Sequence, residues 1–182
     1  MKIYTKTGDK GMTRLASGQA VSKASDRVET YGALDYLNSW IGRIISQTRM
    51  NYPDISEQLQ EIQQCLFDCQ TDLANPTLSS STWRIKAAPT ANLESWIDSY
   101  TEKARPLTRF ILPGGSLPAS DCQVARTLAR NAERQLVKLS WTAEINPDIL
   151  IYLNRLSDYF FTLAREFNRR EGNEDIFYEN ER

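Results

Sequence analysis

The chain has 182 residues, of which 41% are hydrophobic and 25% charged, and its formal net charge is −1. This composition describes a globular chain of single-domain size, and its near-neutral charge excludes a general nucleic-acid binder, so any anion site must be local. No apolar run is long enough to span a membrane, and the N-terminal residues do not resemble a signal peptide.

The sequence contains no histidine. That absence excludes Ser-His-Asp triads, Cys-His pairs and histidine-based metal sites. If the protein is an enzyme, we therefore expect chemistry that depends on positioning and on charge stabilisation. The three cysteines, Cys65, Cys69 and Cys122, show no CxxC spacing, so we expect reduced thiols in the cytoplasm.

A loop rich in glycine and lysine, Lys6–Arg14, follows a short extended segment at the N-terminus. Glycines allow backbone N–H groups to approach an anion, while lysines and threonine hydroxyls add charge and donors. The glycine spacing differs from that of a Walker A motif, so an anion-binding loop and a solvated turn both remain open. The following segment, Ser17–Ser25, is small and polar, and we interpret it as a mobile connector.

Three amphipathic helices are predicted next. The first begins at Asp26 and repeats apolar residues at helical spacing, with Asp35 beside its apolar face. The second covers residues 55–73, where the apolar stripe is uninterrupted, and an Asn-Pro pair ends it. The third begins near Pro89 and ends before Pro106.

A loop of apolar and turn-forming residues, Arg105–Pro118, comes before the fourth predicted helix. Its apolar triplet, Phe110–Leu112, stands next to Pro113–Gly115 and outside any helical pattern. Apolar side chains in a loop need a surface against which to be buried. The triplet therefore either folds over the end of the helices or presents an aromatic edge to a flat apolar ligand.

The fourth predicted helix begins near Ala119 and has an apolar stripe over Ala125–Leu139. Arg126, Arg130 and Glu133 form a second stripe on the shoulder of that buried face. Charges at such positions need partners in a groove, a cleft or a subunit interface, because an unpaired buried charge is costly. A solvated basic face is the alternative.

Capping signals define where the last two helices begin. Ser120 and Gln123 have the spacing of a capping box at the start of the fourth helix. Asn146, followed by Pro147 at the first helical position, marks the start of the fifth. We place Phe161 on the buried face of this fifth helix.

Asn154 and Asp158 lie one turn apart on the shoulder of the fifth helix and repeat the arrangement of the arginine stripe. With little strand signal and no repeats, the pattern predicts an all-α fold, a five-helix antiparallel bundle in a single domain. We divide this domain into an N-terminal segment (1–25), the bundle (26–170) and a tail (171–182). We expect the tail to order only against a partner.

Five motifs occur in an order that resembles the ATP:cob(I)alamin adenosyltransferases of the trimeric, propanediol-utilisation type. The resemblance covers nearly the whole chain, and five motifs in order are far more specific than any one alone. The motifs are Ile3–Gly11, Tyr31–Asn38, Phe110–Gly115, Asn154–Asp158, and Arg126 with Arg130, Ala132, Glu133 and Arg134.

The resemblance implies a homotrimer of ferritin-like helical bundles, with an ordered N-terminal loop and an active site between adjacent subunits. It implies that one subunit binds ATP through its N-terminal segment, and that the neighbouring subunit completes the site. The first group is Thr5, Lys6, Thr7, Gly8, Thr13, Arg14 and Lys23, and the second is Arg130, Glu133, Arg134 and Asn154.

The resemblance also implies roles in the reaction for Arg130 and four other residues. Asp35 and Arg126 would form an ion pair across the interface. Glu133 would lie near Mg²⁺-bound phosphates or orient the arginines. Phe110 would occupy the lower face of the corrin and exclude the usual axial base.

The implied reaction is displacement at the 5′-carbon of ATP by cobalt(I), which gives adenosylcobalamin and triphosphate. Because cobalamin supplies the nucleophile, the protein needs neither a base nor a histidine. It must instead stabilise an anionic leaving group with Lys, Arg, backbone N–H groups and Mg²⁺. The implied partners are a flavin or flavodoxin reductase and an adenosylcobalamin-dependent enzyme in the cytoplasm, without nucleic acid or membrane.

Two other functions remain open, a non-catalytic corrinoid carrier and a nucleotide-binding trimeric bundle. The chain also departs from the family pattern, with Tyr36 in place of the usual Glu and Asn131 where Arg is frequent. Both changes stand beside intact motifs, so we expect them to affect affinity rather than activity. The short C-terminal tail would also cover less of the corrin than the tails of longer members.

Overall fold

The computed structural model describes residues 3–4 and 6–179, which form five helices and a two-stranded antiparallel sheet. The all-α prediction is therefore confirmed, apart from this small sheet. The elements in chain order are β1 (Met12–Arg14), β2 (Ala20–Ser22), α1 (Asp26–Thr48), α2 (Pro53–Ala74), α3 (Ala88–Lys103), α4 (Leu117–Ser140) and α5 (Pro147–Arg170).

Helix α4 lies at the centre of the bundle and packs against α5 on one side and α1 on the other. Helix α2 covers α1, and α3 covers α5. The apolar stripes meet in one core, in which Leu34, Leu66 and Phe160 are fully buried. Small alanines at Ala125 and Ala129, also fully buried, let neighbouring helices approach α4 closely. The core thus holds the exposed shoulders of α4 and α5 side by side.

All five helices start within two residues of the predicted positions, but the cap predicted for α4 is wrong. Ser116, not Ser120, caps this helix, and its hydroxyl accepts from the Ala119 amide at 3.4 Å. The predicted capping box is wrong because the capping residue lies one turn before Ser120, and Pro118 then suits the first turn. At α5 the predicted cap is confirmed, since the Asn146 side chain accepts from the Asp148 amide at 3.1 Å.

The segment that we interpreted as a mobile connector is part of a β-hairpin. Strand β2 pairs with β1, with Thr13 opposite Val21. The hairpin docks on the bundle through the buried Leu15 and through the Ala16 amide, which donates to the carbonyl of Ala74 at 3.0 Å. A strand of three residues is too short to show the alternation of apolar and polar residues by which strands are recognised. The pattern therefore indicated a loop.

The tail folds back onto its own chain, so the expectation that it orders only against a partner is wrong for its described part. Its Ile176 carbonyl accepts from the Leu112 amide at 2.8 Å, and its Tyr178 amide donates to the Phe110 carbonyl at 2.7 Å. Ile111 and Phe177 form the antiparallel bridge between these two bonds. The tail therefore adds a short strand to the edge of the Phe110 loop.

The three cysteines are free, and burial raises the pKa of the Cys69 and Cys122 thiols well above the ordinary value.

Among residues 3–4 and 6–179, no helix combines the length and the apolar character that a membrane crossing needs.

Candidate functional site

The arginine stripe of α4 runs from the middle of the helix towards its C-terminal end. Arg126 and Arg130 are one turn apart, and Glu133 and Arg134 follow on the next turn. We include Arg134 in the stripe from here on, and at 1.5 Å per residue the stripe is then roughly 12 Å long. Burial lowers the pKa of Arg126, and the like charge of Arg130 lowers it further. The stripe thus brings positive charges together where an anion would relieve their repulsion.

The two arginines that follow Arg126 have no carboxylate partner. Arg126 is half-buried, and its Nε donates to the neutral Gln123 Oε1 at 2.8 Å. Within the described part of the chain, Arg130 and Arg134 are exposed and form no ion pair or side-chain hydrogen bond. Three guanidinium groups therefore lie beside a single carboxylate, that of Glu133. The stripe is cationic, and the donors of Arg130 and Arg134 are available to a ligand.

Glu133 on α4 and Asn154 on α5 meet where these two helices pack together. The Asn154 Nδ2 donates to Glu133 Oε1 at 2.8 Å. This bond fixes the orientation of the carboxylate and leaves its second oxygen unengaged by any described side chain. Asp158, one turn further along α5, does not join them, because it pairs with Arg155 at 3.2 Å. On α5, Asn154 is therefore the polar residue that reaches Glu133, and Asp158 is not part of this group.

The N-terminal loop forms a second cluster of cations. The Gly11 amide donates to the Gly8 carbonyl at 3.2 Å, and the Lys23 amide donates to the Gly11 carbonyl at 2.9 Å. This folding brings the Lys23 ammonium over Gly8, so closely that a Cβ on Gly8 would lie 3.0 Å from Lys23 Nζ. Lys6 has a φ of 61°, a left-handed conformation that is uncommon outside glycine. The loop is therefore a closed turn with its lysines at the surface.

The remaining predicted residues of this segment have different surroundings. Thr13 lies in β1, and Arg14 donates to the carbonyl of Gly18 at 3.0 Å, across the end of the hairpin. Thr7 is exposed and has an interaction of its own. Thr5 lies outside the described residues.

The loop and the stripe belong to the same end of the bundle. The hairpin docks on the end of α2, and at this end Lys138 of α4 pairs with Asp26 of α1 at 2.7 Å. Yet among the described residues no hydrogen bond or ion pair joins Lys6, Gly8 or Lys23 to Arg130, Glu133 or Asn154. In the part of the chain that the structure describes, these loop residues and the stripe are therefore not joined by polar contacts.

A cavity of about 970 Å³ lies at the other end of the stripe, next to Phe110. It is mostly apolar, and Phe110 at its edge is 85% exposed, so the aromatic-edge interpretation of the loop is the one that the structure supports. Arg126 belongs to both the stripe and the cavity wall. The lining residues are Leu107, Thr108, Arg109, Phe110, Ile111, Pro113, Gln123, Arg126, Phe161 and Tyr178. The volume suits a large ligand.

Several lining residues were not predicted. Phe161 was assigned to the core, but it is only partly buried and faces the cavity, one position beyond the fully buried Phe160. Successive side chains on a helix point about 100° apart, so Phe160 and Phe161 cannot both face the core. This geometry could have indicated the position of Phe161. Tyr178 comes from the tail, and nothing local in the sequence places it there.

The predicted ion pair between Asp35 and Arg126 is not formed within one chain. Asp35 is exposed on α1 and has no ion pair among the described residues, while Arg126 bonds to Gln123. The prediction concerns two adjacent chains and stays a prediction.

Metal binding by protein groups alone has no support. The described residues contain no cluster of three or more Cys, Asp or Glu side chains that could hold an ion. Glu133 stands alone as the carboxylate of the stripe. Mg²⁺ is often bound through one or two carboxylates together with substrate phosphates and water, and the single oriented carboxylate fits only such a shared site.

Comparisons with known proteins agree with these features. The family model described as cobalamin adenosyltransferase matches residues 3–167. A corrinoid adenosyltransferase from Bacillus subtilis is 47% identical over 181 residues, covering 98% of this chain and 93% of the relative. Corrinoid adenosyltransferase MMAB from Homo sapiens is 40% identical over 182 residues, covering 97% of this chain and 73% of the relative.

Solved structures show the same similarity in three dimensions. A phenylalanine-to-alanine variant of a PduO-type ATP:corrinoid adenosyltransferase from Lactobacillus reuteri, complexed with cobalamin and ATP, superposes with a TM-score of 0.94. It is 47% identical, and the match covers 98% of this chain and 100% of that chain. An arginine-to-lysine variant from the same organism, complexed with ATP, superposes with a TM-score of 0.91 at 47% identity, covering 97% of this chain and 100% of that chain.

Proposed function

This chain belongs to the cobalamin adenosyltransferase family and is an ATP:corrinoid adenosyltransferase, and we propose that it performs the transfer where its arginine stripe meets the Phe110 cavity. One observation carries the proposal. Arg126 belongs to both features, so a cationic surface and a large apolar cavity are continuous along α4. ATP bound with its triphosphate on the stripe would thus direct its adenosyl group towards a corrinoid in the cavity.

ATP is held, in this proposal, between two subunits of a homotrimer. The loop around Lys6 and Gly8, with Lys23, supplies one set of donors, and Arg130 and Arg134 of the neighbouring subunit supply the other. The two sets have no polar contact within one described chain, which a shared site between chains would explain. We assign the N-terminal segment, residues 1–25, to this ATP site, including Thr5, Thr7, Thr13 and Arg14.

The transfer breaks the C5′–O bond of ATP. Cobalt(I) of the corrinoid attacks C5′, and the bonding electron pair leaves with the triphosphate. The nucleophile belongs to the substrate, so a chain without histidine can catalyse the reaction. What the protein contributes is stabilisation of negative charge that develops on the leaving oxygen, through guanidinium groups already in position.

Glu133 is the residue that would hold a magnesium ion. When bound with the ATP phosphates, Mg²⁺ neutralises part of their charge. The Asn154 amide keeps one oxygen of Glu133 engaged at 2.8 Å and so orients the other. Asp35, on the exposed side of α1, would pair with Arg126 of an adjacent chain and hold that arginine between phosphates and corrin.

Phe110 is the residue that would contact the lower face of the corrin. Its side chain is 85% exposed in the free chain and stands at the mouth of an apolar cavity. An aromatic ring against that face leaves no room for an axial ligand on cobalt. Loss of the axial ligand favours reduction of cobalt(II) to the nucleophilic cobalt(I).

The reaction needs a donor of electrons to cobalt and an enzyme that uses the product, and we infer both partners. A flavin or flavodoxin reductase would supply the electron, and an adenosylcobalamin-dependent enzyme would take the product, both in the cytoplasm. The chain's near-neutral charge agrees with small-molecule substrates rather than nucleic acid.

Anaerobic turnover tests the proposal. Purified protein is mixed with ATP and chemically reduced cobalamin, and adenosylcobalamin and triphosphate should form in equal amounts. The mass in solution should be that of a trimer. Binding of both substrates without product would favour a corrinoid carrier instead, and would refute transfer at this site.

A further inference from the structure

We propose that Arg165, on the last turns of α5, is a positioning residue that holds Phe110 at the mouth of the cavity. It acts with Asn168 and Asp175, and we call these three residues the tail clasp. None of them belongs to the motifs that carried the functional assignment, and none lines the cavity beside Phe110. The inference rests on the proposed role of Phe110 towards the corrin.

Arg165 joins three separate parts of the chain. Its side chain is only 8% exposed. The Nε group donates to Asp175 Oδ2 in the tail at 2.9 Å, and Nη2 donates to the carbonyl of Arg105 at 2.6 Å, where the Phe110 loop begins. A guanidinium is well suited to this role because its donors have a fixed planar geometry. The helix, the start of the loop and the tail are therefore tied at one buried point.

Asn168 holds the other end of the same loop. Its Nδ2 donates to the Gly114 carbonyl at 3.1 Å, and its Oδ1 accepts from the Ser116 amide at 2.9 Å. Between them Gly115 has a φ of 106°, and any Cβ there would overlap the Asn168 amide. The loop is thus fixed on both sides of Phe110 by two side chains that are one turn apart on α5.

The tail completes the arrangement by pairing with the loop on either side of Ile111. The Tyr178 amide donates to the carbonyl of Phe110 itself, and the Leu112 amide donates to the carbonyl of Ile176. Asp175 directly precedes this pairing, so the Arg165 ion pair sets where the short tail strand begins. Tyr178, which the strand carries, lines the same cavity as Phe110.

Packing does not explain why Phe110 stands where it does. The side chain is 85% exposed, and its neighbour Leu112 is 49% exposed. A loop with so little apolar burial takes its geometry from its hydrogen bonds. Here those bonds lead to the tail clasp. The structure therefore assigns the position of Phe110 to the ion pair of Arg165 with Asp175, whose side chains are 8% and 16% exposed.

The test compares two neighbouring acidic residues of the tail. Asp175→Asn keeps the shape of the side chain but removes the charge that faces the buried Arg165. Glu174→Gln is the matched control, because Glu174 pairs with Arg105 at 2.9 Å while both side chains are largely exposed, at 76% and 84%. Exposed pairs contribute little, so the control should behave as the parent protein does.

Three readouts distinguish positioning from general stability. The KM for cobalamin should rise about tenfold in Asp175→Asn, corresponding to about 1.4 kcal/mol, while the KM for ATP stays unchanged. Hydrogen exchange at the Leu112 and Tyr178 amides should become faster, with exchange in α2 unaffected. Asp175→Glu, which restores the charge, should recover at least part of the parent KM for cobalamin.

Two results would overturn the proposal. One is unchanged exchange at both amides in Asp175→Asn, which would mean that the pair does not hold the tail. The other is an equal rise in both KM values with a lowered melting temperature, which would indicate a purely structural role. If the parent protein forms no adenosylcobalamin, the proposed function fails, yet the exchange comparison still tests whether Asp175 and Arg165 hold the loop.

Discussion

Replacing Phe110 by alanine should separate stability from activity, because the structure leaves this ring almost entirely in water. The residue is 85% exposed, so only about 15% of its surface is removed from solvent. A phenylalanine buries roughly 150–250 Å² when fully enclosed, and 15% of that is about 20–40 Å². At about 25 cal/mol per Å² the loss on folding is about 1 kcal/mol or less.

The matched control is Phe160→Ala, since Phe160 is fully buried in the core. That substitution should cost about 3–5 kcal/mol, because it removes the ring and leaves a cavity. For a chain of this size, 1 kcal/mol shifts the melting temperature by roughly 2–4 °C. Thermal unfolding of the parent and the two variants should therefore show a small shift for Phe110→Ala and a large one for Phe160→Ala.

Activity should follow the opposite order. If Phe110 contacts the corrin when cobalt(I) forms, the ring becomes buried only in the complex, and full burial of such a side chain gains about 1.5–3 kcal/mol. Losing that gain would lower kcat by roughly 10- to 150-fold. The assay is anaerobic formation of adenosylcobalamin under saturating ATP and cobalamin, with cobalt(II) as the starting state and a chemical reductant of fixed potential.

Two outcomes would refute the reasoning. A melting temperature for Phe110→Ala as low as that of Phe160→Ala would mean that the ring is part of the packed structure. An unchanged kcat for Phe110→Ala from cobalt(II) would mean that the ring has no role at the lower face. The absorption spectrum of bound cob(II)alamin gives an independent check, because it changes when the axial ligand is lost.

Further predictions concern the stripe and one ion pair. Arg130→Ala should lower kcat/KM for ATP by about 10- to 150-fold, as expected for a lost charge-assisted hydrogen bond of about 1.5–3 kcal/mol. Its melting temperature should not change without ATP, since Arg130 is exposed, and a large drop would contradict the assignment. Asp35→Arg and Arg126→Asp should each reduce turnover, and the double swap should recover part of it; strictly additive losses would exclude pairing. The Arg170 side chain hydrogen-bonds to Asp54 and holds the pKa of that carboxyl below its usual range. The stability from this pair should be complete above about pH 4 and lost as pH falls through the lowered pKa, so Asp54→Asn should weaken the acid dependence of urea unfolding.

Local periodicity was enough to predict the bundle. The apolar stripes of α2 and α5 and the cap at Asn146 depend on residues within a few positions of one another, so the sequence specifies them directly. Where a signal was ambiguous, the prediction failed: Ser120 matched a capping box, yet Ser116 begins α4 one turn earlier. The three-residue strands of the hairpin were missed for the related reason that they contain too little of a repeat.

The polar stripes were predictable to the same degree. Positions on one helix follow from 3.6 residues per turn, so Arg126, Arg130 and Glu133 had to share a face. The sequence placed Asn154 on the corresponding shoulder of α5, but its hydrogen bond to Glu133 at 2.8 Å depends on how α4 and α5 pack. The roles of these residues towards ATP and corrin stay predictions until substrates are bound.

Only the tertiary structure decided how distant segments meet. The cavity wall combines α4, α5, the Phe110 loop and Tyr178 of the tail, and the tail clasp joins Arg165 to Asp175 and to the Arg105 carbonyl. No repeat in the chain encodes such contacts, because they arise when packed helices bring ends of loops within hydrogen-bonding distance. The sequence therefore determined the helices and their faces, and the packing determined which groups those faces and loops finally contact.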